Sequence, residues 1–315
     1  MGELQLAELP AQPDLPAVDE GREVDQPAFD VAKGDPERID AGDRGGHLVD
    51  HPLHPEADQP GLLRIELVRA GASGLSALAW NEDDNLLYAL TDHGVLFHLR
   101  PVFRSGQLVD VALLHVAPLI DPRTRKPVKW RRSDAEGLDI LNGRNGRKGD
   151  AELIVSFEGE PRIARYRPDG QFIADMPLSD PLQNIRNYRY NKMLEAVCAH
   201  PREGALTAPE EPLNGVSGAA HLYRADGSAW RFAPSRGGIV ALECLPDGDV
   251  LVMERDYSTL SLHWVITLRR LRLPPGTPPD SLLPAETVTT LDSHQGLQID
   301  NFEGLARHHG NRFFM

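Results

Sequence analysis

The sequence is poor in cysteine, in aromatic residues and in long apolar runs. Only Cys198 and Cys244 occur in 315 residues, which excludes a disulfide framework and leaves at most one bridge. Aromatic residues make up 6%, and no stretch of 18 or more apolar residues exists that could span a bilayer. The first forty residues lack a basic start followed by an apolar segment, so they carry no secretory signal; taken literally, the chain stays in the cytoplasm. Basic residues are scarce as well. Lys+Arg number 33 against 47 Asp+Glu, a net charge of −14, which argues against a nucleic-acid-coating surface. Helical periodicity over eleven or more residues is hard to find. Gly 28 and Pro 26 are plentiful instead, as expected of many short elements joined by turns.

The charge is unevenly spread. Residues 1–60 hold 15 Asp/Glu and 4 Lys/Arg, with eight prolines and a single aromatic residue, Phe29. Such a segment cannot bury enough apolar surface to offset its ordering entropy, so 1–60 is read as a disordered acidic tail and 61–315 as the folded domain. His47, His51 and His54 in HLVDHPLH are spaced like metal ligands, but Pro52 and Pro55 prevent a regular helix there, and a metal site is disfavoured.

From Gly61 onward, runs such as LLYALTD (86–92), AELIVSFEG (151–159) and GDVLVMERD (248–256) alternate or run apolar for five to seven residues between turn residues. This is the pattern of strands. PDG recurs at 168–170 and 246–248 and predicts two tight turns. The strands also repeat. SGLSALAW, AEGLDIL, LEAVCAH, GGIVALEC and FEGLARH align on Leu75, Leu138, Val197, Ile239 and Leu305, at intervals of 63, 59, 42 and 66 residues. A period of this length with several strands per unit predicts an all-β fold, a β-propeller.

DAEGLDIL, SFEG, NKMLEAVCAHP, LPDGDVLVMERD and DNFEGLA occur in this order, and with them the chain resembles the phytase-like (esterase-like activity of phytase) domain family from about Ala72 to Met315. The resemblance implies a six-bladed propeller, an exported (periplasmic or secreted) bacterial protein, and phosphoesterase activity. Two features depart from it. An acidic tail replaces the usual signal peptide, and the chain stops at RFFM, inside the strand that would close the ring, so the last blade is expected to be incomplete.

The candidate chemistry lies in the repeated acids. Glu136, Glu195 and Glu303 occupy one position in three units, with Ser73 and Gly237 at that position in the other two. Rotational symmetry would aim them at one axis, where carboxylates repel unless a cation lies between them or some are protonated. Hard oxygen ligands without clustered thiols favour Ca²⁺ over Zn²⁺ or copper. Asp92, Glu158 and Glu254 close the following strands as a second set of candidate metal ligands. The competing reading makes all of these turn caps or partners of a neighbouring Arg, Glu254 with Arg255 among them.

Arg132, Arg189 and Lys192 precede the first set and are candidate phosphate-binding residues; the competing reading is a solvated basic loop. No nucleophile system is visible, since GASGLS is not G-x-S-x-G and a Cys198–His200 dyad has no orienting acid. A monomer hydrolysing a small phosphoester or other ester with a metal-activated water is one reading. The other is a non-catalytic propeller that binds a ligand or protein partner at its channel mouth.

Overall fold

The computed structural model describes Glu3–Glu8, Arg64–Glu66 and residues 74–315 apart from 217, 296–298 and 300. Strands dominate, and the single α-helix among the described residues is one turn, α1 (Asp180–Gln183). No helix there is long and apolar enough to cross a membrane.

β1 (Glu3–Glu8) and β2 (Arg64–Glu66) come first in the chain. The first blade follows as β3 (Leu75–Asn81), β4 (Leu86–Thr91), β5 (Val95–Arg104) and β6 (Gln107–Pro118). A ribbon of β7 (Ile120–Asp121) and β8 (Lys126–Pro127) leads to the second blade. That blade holds β9 (Ala135–Leu141), β10 (Glu152–Phe157), β11 (Arg162–Tyr166) and β12 (Phe172–Met176). The third holds β13 (Leu194–His200), β14 (Gly204–Pro209), β15 (Ala220–Arg224) and β16 (Ala229–Phe232). The fourth holds β17 (Gly238–Cys244), β18 (Val250–Ser258), β19 (His263–Leu271) and β20 (Ala285–Asp292). Each of these sheets is antiparallel with its strands in sequence order.

The fifth sheet is built from both ends of the described chain, in the order β2-β1-β22-β21. β21 (Ala306–Arg307) pairs with β22 (Arg312–Phe314), and β1 pairs with β22 through Leu6↔Phe314, Ala7↔Phe313 and Glu8↔Arg312. The six residues Glu3–Glu8, expected in an unpacked tail, form a strand that pairs with both β2 and β22. Residues 9–63, including His47, His51 and His54, lie outside the described residues. Among the described residues there are five four-stranded sheets, where the resemblance implied six blades, and five is also the number of repeats in the sequence.

Five apolar cores lie between neighbouring blades and make the arrangement circular. Leu138, Val155 and Phe157 pack with Tyr88 and Leu90 between the first two, and Ile154 and Ile163 pack with Leu194 and Val197 between the next two. Leu206 and Trp230 meet Leu242 and Val250 between the third and fourth. The fifth sheet is held on both sides: Ala7, Phe313 and Met315 pack on Met253 and Leu268, while Ala306 and Phe314 pack on Trp80 and Leu87. The two PDG turns are present, with Gly170 at φ +82 and Gly248 at φ +91; a Cβ would lie 2.1 Å from Pro118 O at the first and 2.1 Å from the Arg202 guanidinium at the second.

The innermost strands share one irregularity that sets the register of the site. β3, β9, β13 and β17 each carry a bulge, and the extra residue is Ser76, Glu136, Glu195 and Val240 in turn. A bulge re-aims one side chain and sharpens the local bend. Glu303, in the run Asn301-Phe302-Glu303-Gly304-Leu305, holds the corresponding place before β21. This corrects the sequence alignment: Ser76 and Val240, not Ser73 and Gly237, match the three glutamates.

Three residues beyond the bulge, a second position links neighbouring blades by different chemistry. Asp139 Oδ2 accepts the Ala199 N–H at 2.7 Å, and Glu243 Oε2 accepts the Arg307 N–H at 3.1 Å. Between them Cys198 of the third blade forms a disulfide with Cys244 of the fourth, with Cα atoms 5.5 Å apart. The cysteine pair left open by the sequence is thus a bridge, and a Cys198–His200 dyad is excluded.

Candidate functional site

At the mouth where the innermost strands begin, acids converge from several blades. The axial cavity below is lined by Glu136, Glu303, Leu78, Val197, Leu242 and Leu305, which come from the innermost strands of the first four blades and from the run just before β21. Glu195 is buried, Glu136 and Glu303 are half-buried. Asp134, Glu136 and Glu158 each offer a carboxylate oxygen within 4.8 Å of the other two. These are acidic groups able to hold a metal ion.

Electrostatics mark the crowding. Burial raises the Glu136 carboxyl to about 10, and the neighbouring Glu195, Glu303, Asp134 and Glu158 push in the same direction. Glu195 is raised well above the usual range by burial and by Glu210, Glu158 and Glu303, with Arg255 opposing. Asp134 and Asp92 are raised too, mainly by burial. Without a cation, this many carboxylates cannot all ionise together.

The second set of acids follows a register the sequence misassigned at one position. Asp92, Glu158 and Glu210 come directly after β4, β10 and β14, and their N–H groups donate to Gly74 O, Asp134 O and Met193 O at 2.8–3.0 Å. In the fourth blade Arg255, paired with Gly238, stands at the equivalent place. Successive strand residues face opposite sides, so Glu254, one residue earlier, turns away from the mouth. It is buried, accepts the Ser235 N–H at 2.8 Å and lies 3.6 Å from Arg269 Nη1; its predicted pairing with Arg255 is not formed. Arg255 instead bonds Glu303 and reaches Asn301 Oδ1 at 2.6 Å.

The three predicted cations are all engaged. Lys192 Nζ lies 2.5 Å from Glu210 Oε1, which places it at the mouth. Arg189, largely exposed, pairs with Glu211 at 2.7 Å beside it. Arg132 is committed elsewhere, bonding Asp121 at 3.0 Å and Glu160 at 2.6 Å. Asp134, Glu210, Arg255 and Asn301 belong to the site without having been singled out from sequence. Asp134 was legible in principle, standing two residues before Glu136 as Asn301 stands two before Glu303.

The sequence model of the phytase-like family, described as esterase-like activity of phytase, matches residues 70–313. No curated protein sequence matches the chain. Among solved structures it is similar to a protein provisionally described as a gluconolactonase, at 14% identity and TM-score 0.38, over 75% of this chain and 68% of that one. A protein of unknown function from Bacteroides caccae follows at 10% identity and TM-score 0.35, over 70% of this chain and 61% of that one. The Cps50 (Swd1) β-propeller domain of Myceliophteria thermophila is similar at 11% identity and TM-score 0.34, over 75% and 67%.

Proposed function

The chain belongs to the phytase-like family, and from that premise we propose that the acidic mouth hydrolyses small phosphoesters around a Ca²⁺ ion held by Asp134, Glu136 and Glu158. The single observation carrying this reading is the approach of those three carboxylates to within 4.8 Å, at an axis where Glu195 and Glu303 add further negative charge. Donor chemistry supports the fit. All the groups are hard oxygens, and two ligand atoms about 2.3–2.6 Å from one Ca²⁺ can be no more than about 5 Å apart. When bound, such a cation offsets the negative charge that grows on phosphoryl oxygens during transfer.

The chain's own residues set what enters. Lys192 and Arg255 bring positive charge to the rim, and a phosphate could draw either one from its carboxylate partner. Arg189 extends that rim outward, whereas Arg132 sits in its own ion-pair network and has no part in this reading. Glu195 is buried while Glu136 and Glu303 are half-buried, so a substrate entering the mouth meets those two first.

One observation favours a second reading, hydrolysis of a carboxylic ester or lactone at the same acids. Lys192, Arg189 and Arg255 are each paired already, and a neutral ester requires none of them.

A paired assay separates the readings. Turnover of p-nitrophenyl phosphate should require Ca²⁺, vanish with chelator, and fall about 100-fold or more in Glu136→Gln. Lys192→Met should cost about tenfold in kcat/KM, or ~1.4 kcal/mol, on the phosphate and leave p-nitrophenyl acetate untouched. Turnover confined to the acetate would select the ester reading, and none on either substrate would leave a binding propeller. At one hundred times its Kd, Ca²⁺ should also add about 2.7 kcal/mol to stability, raising Tm by roughly 5–10 °C, with Glu195→Gln reducing the rise.

A further inference from the structure

Three connections carry the chain from the outer strand of one blade back to the mouth, where the next innermost strand begins. Each bears exposed cations. Arg125, Lys126, Lys129 and Arg131 lie between the first and second blades, Arg186 between the second and third, and Arg236 between the third and fourth. These six form no ion pair among the described residues. Contacts at the rim fix their place. A Cβ on Gly159, next to Glu158, would lie 2.5 Å from Arg131 O, and one on Gly237, next to Arg236, would lie 2.4 Å from the Arg255 backbone. Arg186 O accepts the Asn214 side-chain N–H at 2.9 Å. The acids of the same face lie further in. Glu136, Glu158, Glu195, Glu210 and Glu303 are buried or half-buried, while Glu160 and Glu211 are taken up by Arg132 and Arg189.

Apolar side chains stand out from the same rim. Ile185, Tyr190 and Val216 belong to two segments joined by the bond from the Asn214 N–H to Asn187 O at 2.7 Å, and Tyr190 is 94% exposed. In the fourth blade β18 runs on past Arg255 into a turn at 259–262, where Leu260 is 99% and Leu262 72% exposed. Side chains on projecting tips cannot enclose a small molecule; they suit a broad surface with an apolar interior. Cations around such tips suit a surface whose outer layer is anionic. Tyr190, flanked by Arg189 and Lys192, combines an apolar ring with a polar end, as residues at the level of lipid headgroups do. Nucleic acid would meet the cations but leave the leucines in water. We propose that the mouth face docks on a lipid surface with anionic headgroups, the leucine and tyrosine tips entering it and the six cations lying against its phosphates. The chain then lies on the membrane without spanning it, with the acidic mouth turned toward the headgroup layer.

Cosedimentation of the full chain with vesicles, in chelator, tests this apart from Ca²⁺ binding and turnover at the mouth. Vesicles of phosphatidylcholine and phosphatidylserine in equal parts should bind the protein about tenfold or more tightly than phosphatidylcholine alone. Leu260→Ser/Leu262→Ser should weaken binding to the mixed vesicles about tenfold, and Lys129→Glu/Arg131→Glu by a similar factor. Leu113→Ser, equally apolar and exposed but on the outer strand of the first blade, should change nothing. All of these side chains are exposed, so each variant should keep the melting temperature of the parent. No binding of the parent to the mixed vesicles, or binding that both pairs of substitutions leave unchanged, overturns the proposal. Binding that falls with the charge reversals but not with the leucine pair overturns it too, because a lipid surface has to take up the tips.

Discussion

Removing the Cys198–Cys244 bridge should lower the melting temperature by roughly 8–16 °C. The bridge spans a sequence separation of 46 residues, and a loop of that size confines the unfolded chain by about 4 kcal/mol on the chain-entropy account. The geometry gives the loss a location. Both cysteines lie in the apolar core shared by the third and fourth blades, where Leu206, Trp230, Leu242 and Val250 pack, so the bond joins two innermost strands rather than two loops. Cys198→Ala/Cys244→Ala tests this with little added polarity in the core. Calorimetry of the variant and of reduced parent should agree within a few degrees. An unchanged Tm, or two thiols titratable in the native oxidised protein, would show that the bridge does not hold the fold.

Stability should also fall as the pH rises from 5 to 8. Asp139 and Glu243 sit at the far end of the innermost strands, beside a cleft of about 360 Å³ lined by Trp80, Asn142, Arg144 and Asn145. Burial raises Asp139 to about 6; burial and then Asp139 raise Glu243 to about 8, against the opposing pull of Arg144 and Arg307. For an acid the sign is as follows. Between the unfolded value near 4.5 and the folded value near 8, the unfolded chain has lost its proton while the folded one keeps it. Rising pH therefore favours unfolding across that window and has no further effect above it. Glu243 alone accounts for a loss on the order of 3 kcal/mol. Glu243→Gln should flatten the curve of Tm against pH between 5 and 8. A variant as pH-dependent as the parent would mean that the carboxyl is ionised in the folded protein throughout.

The propeller was legible because its repeat is written in the period-2 strands and in the turn-forming Gly and Pro. The convergence of Glu136, Glu195 and Glu303 was legible because each sits before a small residue and an apolar strand. Register was not. A bulge adds one residue to a strand without leaving a mark in composition, so Ser73 and Gly237 were aligned three residues too early. Glu254 and Arg255 differ by one position, and one position decides which face of a strand a side chain takes. Pairing partners were equally hidden, because Arg132 meets Glu160 and Arg255 meets Glu303 only once separate segments are brought side by side. The fifth sheet was missed for the same reason. ELQLAE in an acidic, proline-rich region has no local signal for the strand it will join.

That fifth sheet has a consequence for assembly order. Four blades are made of hairpins whose strands are near in sequence, and each can zip as soon as its own residues have been synthesised. Leu6 and Phe314 are 314 − 6 = 308 residues apart. Bringing such ends together costs about 3 kcal/mol more closure entropy than a ten-residue hairpin. β1 can pair with β2 early, but its pairing with β22 must wait until both have been made, so the flank of the fourth blade that Phe313 and Met315 cover stays open until then. The seam that closes last is also the one with the most entropy to regain on opening, so native-state hydrogen exchange should find the amides of Phe313 and Phe314 opening before those of Leu153–Phe157 in the second blade.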